Sequence, residues 1–482
     1  MRLSHLKSRR NYTFIPIILL TIMGLLIAEP CFQSGSASVQ NSTQTRRVNV
    51  PYWKPGTPYP SKAIFWFGRV DPTSNYADVR LIYDDVNLKI AVHIIDRRLW
   101  YDSTPSAADL TDWDSVSVYL NLDGNIGETP DLNSYRFEAQ LYSDFQASYR
   151  GNSSGWITEF IPINSYTEYR GFAGPNSDSD SDGWVAYFQI PFASLGLSAP
   201  PPRDTIWGLG VVMHDRDDAA GLIRQDTPWP ETMDPNVPST WGQLSFGSAR
   251  YYPPIAVPSG MVTIRQGLNG ATVVDADVGG HTTCGNMGAD KWTIWGEANY
   301  VGYTQINIQN QWDISDWPCF SKFYITFPID TIPTAKTIIS ATLSMYLFGT
   351  AGGGQWGEPP DSYIQVFTMG EYWNEAALTW NNAPLAVQNI SGTWVHPMQG
   401  PNWVLYSWDV SRAVAQAYNS GEPLRLALYS ADGEYHTGKY FISSDWIDSE
   451  ADTRPTLRVK YGKPCNSPGV ICIDTYLPLI RR

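Results

Sequence analysis

Residues 176–183 read Asn-Ser-Asp-Ser-Asp-Ser-Asp-Gly and set three carboxylates, Asp178, Asp180 and Asp182, at alternate positions ahead of a turn-permitting glycine. Oxygen ligands at this spacing suit a hard cation such as Ca²⁺. A helical Ca²⁺ loop would want a glutamate at its twelfth position, which here is Gln189 inside a strand pattern. The expectation is therefore a Ca²⁺-stapled surface loop, set against a solvated acidic turn. Aromatic rings are the second chemical resource. The 482 residues include 20 tryptophans, 28 tyrosines and 17 phenylalanines, and only 17% of residues are charged. Flat rings fill β-sandwich cores, and they also give apolar platforms on which a sugar ring can stack. Deciding which rings do which job is the functional question.

Catalytic groups do not stand out in the same way. Six histidines, one of them His5, leave little for acid–base work. Carboxylates are numerous, so no pair suited to cleaving a glycosidic bond separates itself from the rest. Neither an HExxH metal motif nor a phosphate loop occurs. The reading is a non-catalytic protein. A net charge of −14 gives no electrostatic reason to bind nucleic acid. It also favours a neutral polymer as partner, or an acidic one bridged by a divalent cation.

The N-terminus reads as an export signal. Arg2, Lys7, Arg9 and Arg10 precede an apolar run from Phe14 to Ala28 that is short for a membrane span. Residues 1–28 are assigned to this signal, the alternative being an uncleaved anchor, and the destination is the cell surface or extracellular space. No other run is apolar enough to cross a bilayer. Cys31 belongs to this region. In an exported chain the remaining cysteines are expected to form Cys284–Cys319 and Cys465–Cys472 bridges, since no CxxC or His-rich cluster points to a metal.

Elements that could position these groups are mostly strands. Val116, Val118 and Leu120 alternate with Ser115, Ser117 and Tyr119; Leu343, Met345 and Leu347 alternate likewise, as do Leu424, Leu426 and Leu428. One helix is predicted, with Val410, Ala413, Val414, Ala417 and Tyr418 on one face, Asp409 at its start and Gly421 at its end. The pattern predicts an all-β protein of two antiparallel sandwiches. Residues 29–50 are expected to be disordered, 51–247 to form the first unit, 248–261 a proline-rich linker, 262–462 the second unit and 463–482 a tail.

In the first unit, the blocks Asp78–Asp123, Gly183–Leu197 and Ser239–Gly247 resemble the carbohydrate-binding module family nine-like group, related to DOMON sandwiches. That resemblance implies a sugar held between two tryptophans, matching Trp113 ahead of Asp114-Ser115-Val116 and Trp229 in Asp226-Thr227-Pro228-Trp229. It also implies a hydroxyl-binding arginine at Arg136. Asp114 joins the candidate ligand-binding set. The group usually carries an acid where this chain has Ser117, so a charge-assisted acceptor is missing there. Some DOMON relatives hold haem through Met and His, which makes His93, Met213 and His214 a minor alternative.

In the second unit, Ile338–Leu347, Tyr372–Pro384, Trp408–Ala417 and Arg454-Pro455-Thr456-Leu457 resemble the DNRLRE domain, grouped with carbohydrate-binding module family 96. This implies a jelly-roll sandwich on an exported bacterial protein and polysaccharide as ligand. Trp373, Leu378 and Trp380 are expected to be buried. Trp292, Trp295, Trp312 and Trp317, between Cys284 and Cys319, form a reserve platform. The leading expectation is a polysaccharide-binding protein; the alternative is a structural or adhesive surface protein whose rings are all core.

Overall fold

A computed structural model describes residues 44–57, 61–142, 145–171, 173–220, 224–285, 290–353 and 357–465. The export signal, Cys31 and Cys472 lie outside these residues, and with Cys472 the expected Cys465–Cys472 bridge. Cys284 and Cys319 are bonded as expected.

The described residues form an all-β fold. A five-stranded antiparallel sheet contains, in order, Ala63–Asp71, Ser74–Tyr83, Asn87–Ile95, Gly183–Pro191 and Asn164–Arg170. It packs against a second sheet in which Ile206–His214 lies between Gly242–Phe246 and Ser115–Asn121, followed by Ser134–Gln140 and Gln146–Gly151. The alternation explains the packing. Val116, Val118 and Leu120 enter the core between these sheets, joined by Leu209, Val211, Val92 and Phe188. Ser115, Ser117 and Tyr119 necessarily face the other way.

The second sandwich is built the same way. Thr337–Thr350 pairs with Val404–Asp409, Lys439–Ile442 and Thr456–Pro464. Leu343, Met345 and Leu347 meet Leu424, Leu426 and Leu428 across the core. The predicted helix spans Ser411–Ser420. The Asp409 carboxylate accepts from the Ser411 N–H at 2.9 Å, and Gly421 closes the helix in the left-handed region at φ 72°.

Two boundary expectations are corrected. Residues 47–50 are not disordered: Arg47–Val50 forms a strand parallel to Gly242–Phe246, and Arg47 also pairs with Gln388 of the second sandwich. One sheet therefore runs through both sandwiches. Asn49 and Asn389 reinforce the join, the Asn49 N–H donating to Asn389 Oδ1 at 2.7 Å and Asn389 Nδ2 to the Asn49 carbonyl at 3.0 Å. The proposed linker is shorter than expected, because Ala256–Arg265 is already a strand of the second sandwich. Proline-rich sequence permits an edge strand, where missing N–H groups are tolerated.

The junction between the sandwiches is a core in its own right. Ile64, Trp66, Tyr76 and Val185 of the first pack with Trp373, Leu378, Trp380 and Tyr429 of the second. Lys322 is buried there, its ammonium 3.5 Å from the Trp380 ring centre and 4.7 Å from that of Trp66. It donates to Tyr76 Oη at 3.1 Å. Tyr76 in turn donates to Asp78 at 2.7 Å, Tyr429 donates to Asp78 at 2.9 Å, and Asn310 Nδ2 does so at 2.7 Å. Burial pushes the Lys322 pKa down and the Asp78 pKa up, and each charge opposes the other's shift. A buried cation from one sandwich thus depends on a buried anion from the other.

Candidate functional site

Two polar assemblies flank the Ile206–His214 strand at its His214 end, where Thr227–Trp229 adds a short strand beside it. The first assembly lies on the outer face of the sheet, on the side opposite the core. Ser117 Oγ lies 2.9 Å from His214 Nε2, and His214 Nδ1 lies 2.8 Å from Asp226 Oδ1. Ser117 also donates to Glu138 Oε1 at 3.1 Å, and Arg136 Nη2 bonds the same carboxylate oxygen. The Arg136 guanidinium lies over Tyr149, 4.7 Å from its ring centre. Strand register explains this: Ser117 pairs directly with Glu138 and Tyr119 with Arg136. The Glu138 carboxylate of the neighbouring strand therefore lies directly beside Ser117. Sequence reading missed Glu138; the inward–outward alternation of Ser134–Gln140, aligned with that of Ser115–Asn121, was the available signal.

A serine, histidine and aspartate in this order have the spacing of a nucleophile relay. The surroundings argue against that role. Ser117 is 0% exposed, lies in mid-strand and is already engaged by Glu138. A second hydrolase-like signal, Gly151-Asn152-Ser153-Ser154-Gly155, spells G-x-S-x-G. It sits in the turn between two antiparallel strands, Gln146–Gly151 and Trp156–Thr158, not at a strand-to-helix elbow.

The second assembly is a buried carboxylate triad. Asp96, Asp114 and Asp215 bring ligand oxygens within 4.8 Å of one another, and among the described residues they are the acidic group close enough to hold one ion. Asp114 accepts from the Trp100 N–H at 2.7 Å and from the Arg216 N–H at 2.8 Å. Asp96 Oδ2 and Asp215 Oδ1 are buried without a hydrogen-bond partner. Burial pushes all three carboxyls up, with repulsion from Asp215 adding to the rise of Asp96 and Asp114, and repulsion from Asp217 helping to bring Asp215 to about 7. Three anionic oxygen donors gathered away from solvent fit a hard cation such as Ca²⁺, whose charge would reverse those shifts.

Both assemblies reach one cleft of about 480 Å³. Its lining includes Asn75, Asp215, Arg224, Asp226, Thr227 and Glu231. Asp215 brings the triad to the wall and Asp226 brings the histidine chain. A neighbouring cavity of about 340 Å³ shares Gly68, Ser74, Asn75, Thr227 and Glu231 with it and extends to Glu371 and Trp380 of the second sandwich.

The structure separates the other sequence candidates. Trp229 cannot be a stacking platform as it stands: it is 1% exposed, with Phe65 stacked at 3.9 Å between ring centres and 23° between planes. Gly242 leaves room for this ring, since a Cβ there would sit 2.8 Å from it. Trp113 is half-buried, and the Arg216 guanidinium covers one face at 3.7 Å from the ring centre. Asp114 is a triad member rather than a direct sugar contact. The carboxylates of Asp178, Asp180 and Asp182 do not converge within ligand distance of one another. Asp180 pairs with Arg97 and Arg98 at 3.0 and 2.8 Å, Asp182 with Lys291, and the Asp178 carbonyl accepts from Arg98. The cation expectation thus moves from this loop to Asp96, Asp114 and Asp215. Met213 points into the core while His214 points outward, and His93 faces Tyr187 on the other sheet, so these residues do not converge as axial ligands.

Comparison with known proteins agrees with the second-unit resemblance. No curated protein matches the chain, and none of its helices among the described residues is long and apolar enough to cross a membrane. Among solved structures, a carbohydrate binding module family 9 from Caldicellulosiruptor kristjanssonii in complex with cellotriose is 18% identical and has a TM-score of 0.32, the match covering 42% of this chain and 95% of that one. The module from the same organism in complex with glucose is also 18% identical, with a TM-score of 0.30, covering 43% of this chain and 100% of that one. Residues 290–460 match the model of carbohydrate-binding module family 96, and over that span the chain is similar to that family.

Proposed function

We propose that this is an exported, non-catalytic protein that binds polysaccharide, with a primary site in the cleft beside Thr227–Trp229. The observation that carries the reading is that cleft: about 480 Å³, with amide and hydroxyl groups from the strands Ser74–Tyr83 and Thr227–Trp229 and carboxylate and guanidinium groups from the loops between strands. Sugar hydroxyls both donate and accept, so they need such mixed partners. Asp226 is held by His214 and Asp215 by the triad, which limits the entropy lost when a sugar binds. The family 96 match over the second sandwich supports carbohydrate as the ligand class. The Cys284–Cys319 bridge and the N-terminal pattern support export.

Asp96, Asp114 and Asp215 hold a Ca²⁺ ion in this reading. The ion neutralises the triad and fixes the wall of the cleft that Asp215 contributes. Glycan-affinity electrophoresis tests the function. Wild-type protein should be retarded in at least one polysaccharide gel, and Asp226→Ala should reduce the retardation. If no polysaccharide retards the wild type, a structural or adhesive role replaces this reading.

A further inference from the structure

Most tryptophans of the Cys284–Cys319 insertion are sealed: Trp292, Trp295 and Trp317 are buried, and Trp295 packs on both Trp317 and Trp380. Trp312 is the exception, 39% exposed. It meets Tyr435, itself 45% exposed, at 5.7 Å between ring centres and 71° between planes. The first sandwich completes this patch. Arg170, at the end of the edge strand Asn164–Arg170, lies over Trp312 at 4.9 Å from the ring centre. Four residues back on the same face, Tyr166 is 49% exposed and stacks on Tyr187 at 4.3 Å.

We propose that Tyr166, Arg170, Trp312 and Tyr435 form a second polysaccharide platform across the junction of the sandwiches, separate from the cleft. This rests on the carbohydrate-binding reading and specifies a neutral glycan. Three large rings left open at one place expose apolar surface that burial would stabilise at about 25 cal/mol per Å². They are also held still. Tyr435 Oη donates to Asp313 Oδ2 at 3.0 Å, the backbone N–H of Trp312 donates to the Glu434 carbonyl at 3.3 Å, and Tyr166 is stacked on Tyr187. Arg170 pairs with Glu168 and, at 3.7 Å, with Asp313. Rings fixed before contact lose little freedom on stacking. Tyr166 lies about 13 Å from Arg170 along the strand, at roughly 3.3 Å per residue, so an extended chain can rest on both ends. The nearby acids Glu168 and Asp313 already neutralise Arg170, which leaves no free positive charge to attract an anionic polymer.

Affinity electrophoresis in hydroxyethyl cellulose, xylan and alginate gels tests the platform against the cleft. The double variant Tyr166→Ala/Trp312→Ala should bind the neutral gels about tenfold more weakly while keeping the wild-type melting temperature. Combined with Asp226→Ala it should abolish retardation. If the double variant is retarded like wild type in the neutral gels, the platform is overturned and the cleft reading stands. If wild type is not retarded in any gel, both fall. Loss confined to alginate overturns the neutral-glycan assignment. Should Trp312→Ala disturb folding, Tyr166→Ala alone, on an exposed edge-strand position, decides by the same criterion.

Discussion

Trp229 and Trp312 make an instructive pair. Both lie in segments whose sequence suggested a sugar platform, and they end in opposite environments. Trp229 sits on a short strand that lays its ring against Phe65 and Gly242 in the core of the first sandwich. Trp312 sits in a disulfide-closed insertion at the surface of the junction, edge-on to Tyr435 and with the Arg170 guanidinium over its ring. The lesson is that a ring's function follows from what covers it. Local sequence marks the segment but not the cover.

Substitution at these two rings should break or sharpen the contrast most clearly. Trp229→Ala should cost about 3–5 kcal/mol by opening a cavity, visible as a large fall in melting temperature. Trp312→Ala should change stability by less than about 0.5 kcal/mol. A mild Trp229→Ala phenotype would return that ring to the surface and restore the original expectation. Asp78→Ala carries a comparable penalty, about 3–5 kcal/mol, because it strands Lys322 in the junction without its counter-ion. Denaturant unfolding followed by near-UV circular dichroism checks this. A small effect would mean the sandwiches do not depend on the Lys322–Asp78 pair.

The carboxylate triad should give a smaller, ligand-dependent effect. At a Ca²⁺ concentration one hundred times its dissociation constant, the folded state should gain about 2.7 kcal/mol, and chelation should remove it. A melting temperature unchanged by chelator would reject the ion. The pH dependence offers a further check. The folded Asp215 carboxyl titrates near 7, against an ordinary value of 3.8. The folded state therefore holds the extra proton between those values. Stability of the metal-free protein should fall as pH rises from about 4 to about 7, by up to about 1.4 kcal/mol per unit for this group, and level off above. Ca²⁺ should flatten that slope. Metal-free stability that rises across this interval would mean the triad is not buried as described.

Much of the fold was legible from alternation. Val116, Val118, Leu120, Leu343, Met345, Leu347, Leu424, Leu426 and Leu428 all enter cores, because period-two patterning and strand geometry are the same fact. The 411–420 helix and the Cys284–Cys319 bridge were legible too, from local capping chemistry and cysteine economy. The site was legible only in part. Asp114 was singled out as a sugar contact and proved to be one of three buried acids. Its partners Asp96 and Asp215 lie 18 residues before it and 101 after it, beyond any local window. Asp178, Asp180 and Asp182 had the stronger motif, yet Arg97, Arg98 and Lys291 claim two of those carboxylates and the backbone carbonyl of the third.

By itself, then, the sequence determined what acts at short range: which faces of each strand are apolar, where the helix starts and stops, and which cysteines can close the insertion. Tertiary structure alone decided what depends on residues distant in the chain. It made one sheet of two sandwiches through Arg47–Val50, joined Lys322 to Asp78, supplied Glu138 beside Ser117, and sorted the tryptophans into core and surface. Burial and ion pairing are set by whatever packs against a side chain, and in this molecule the decisive neighbours come from other strands and often from the other sandwich.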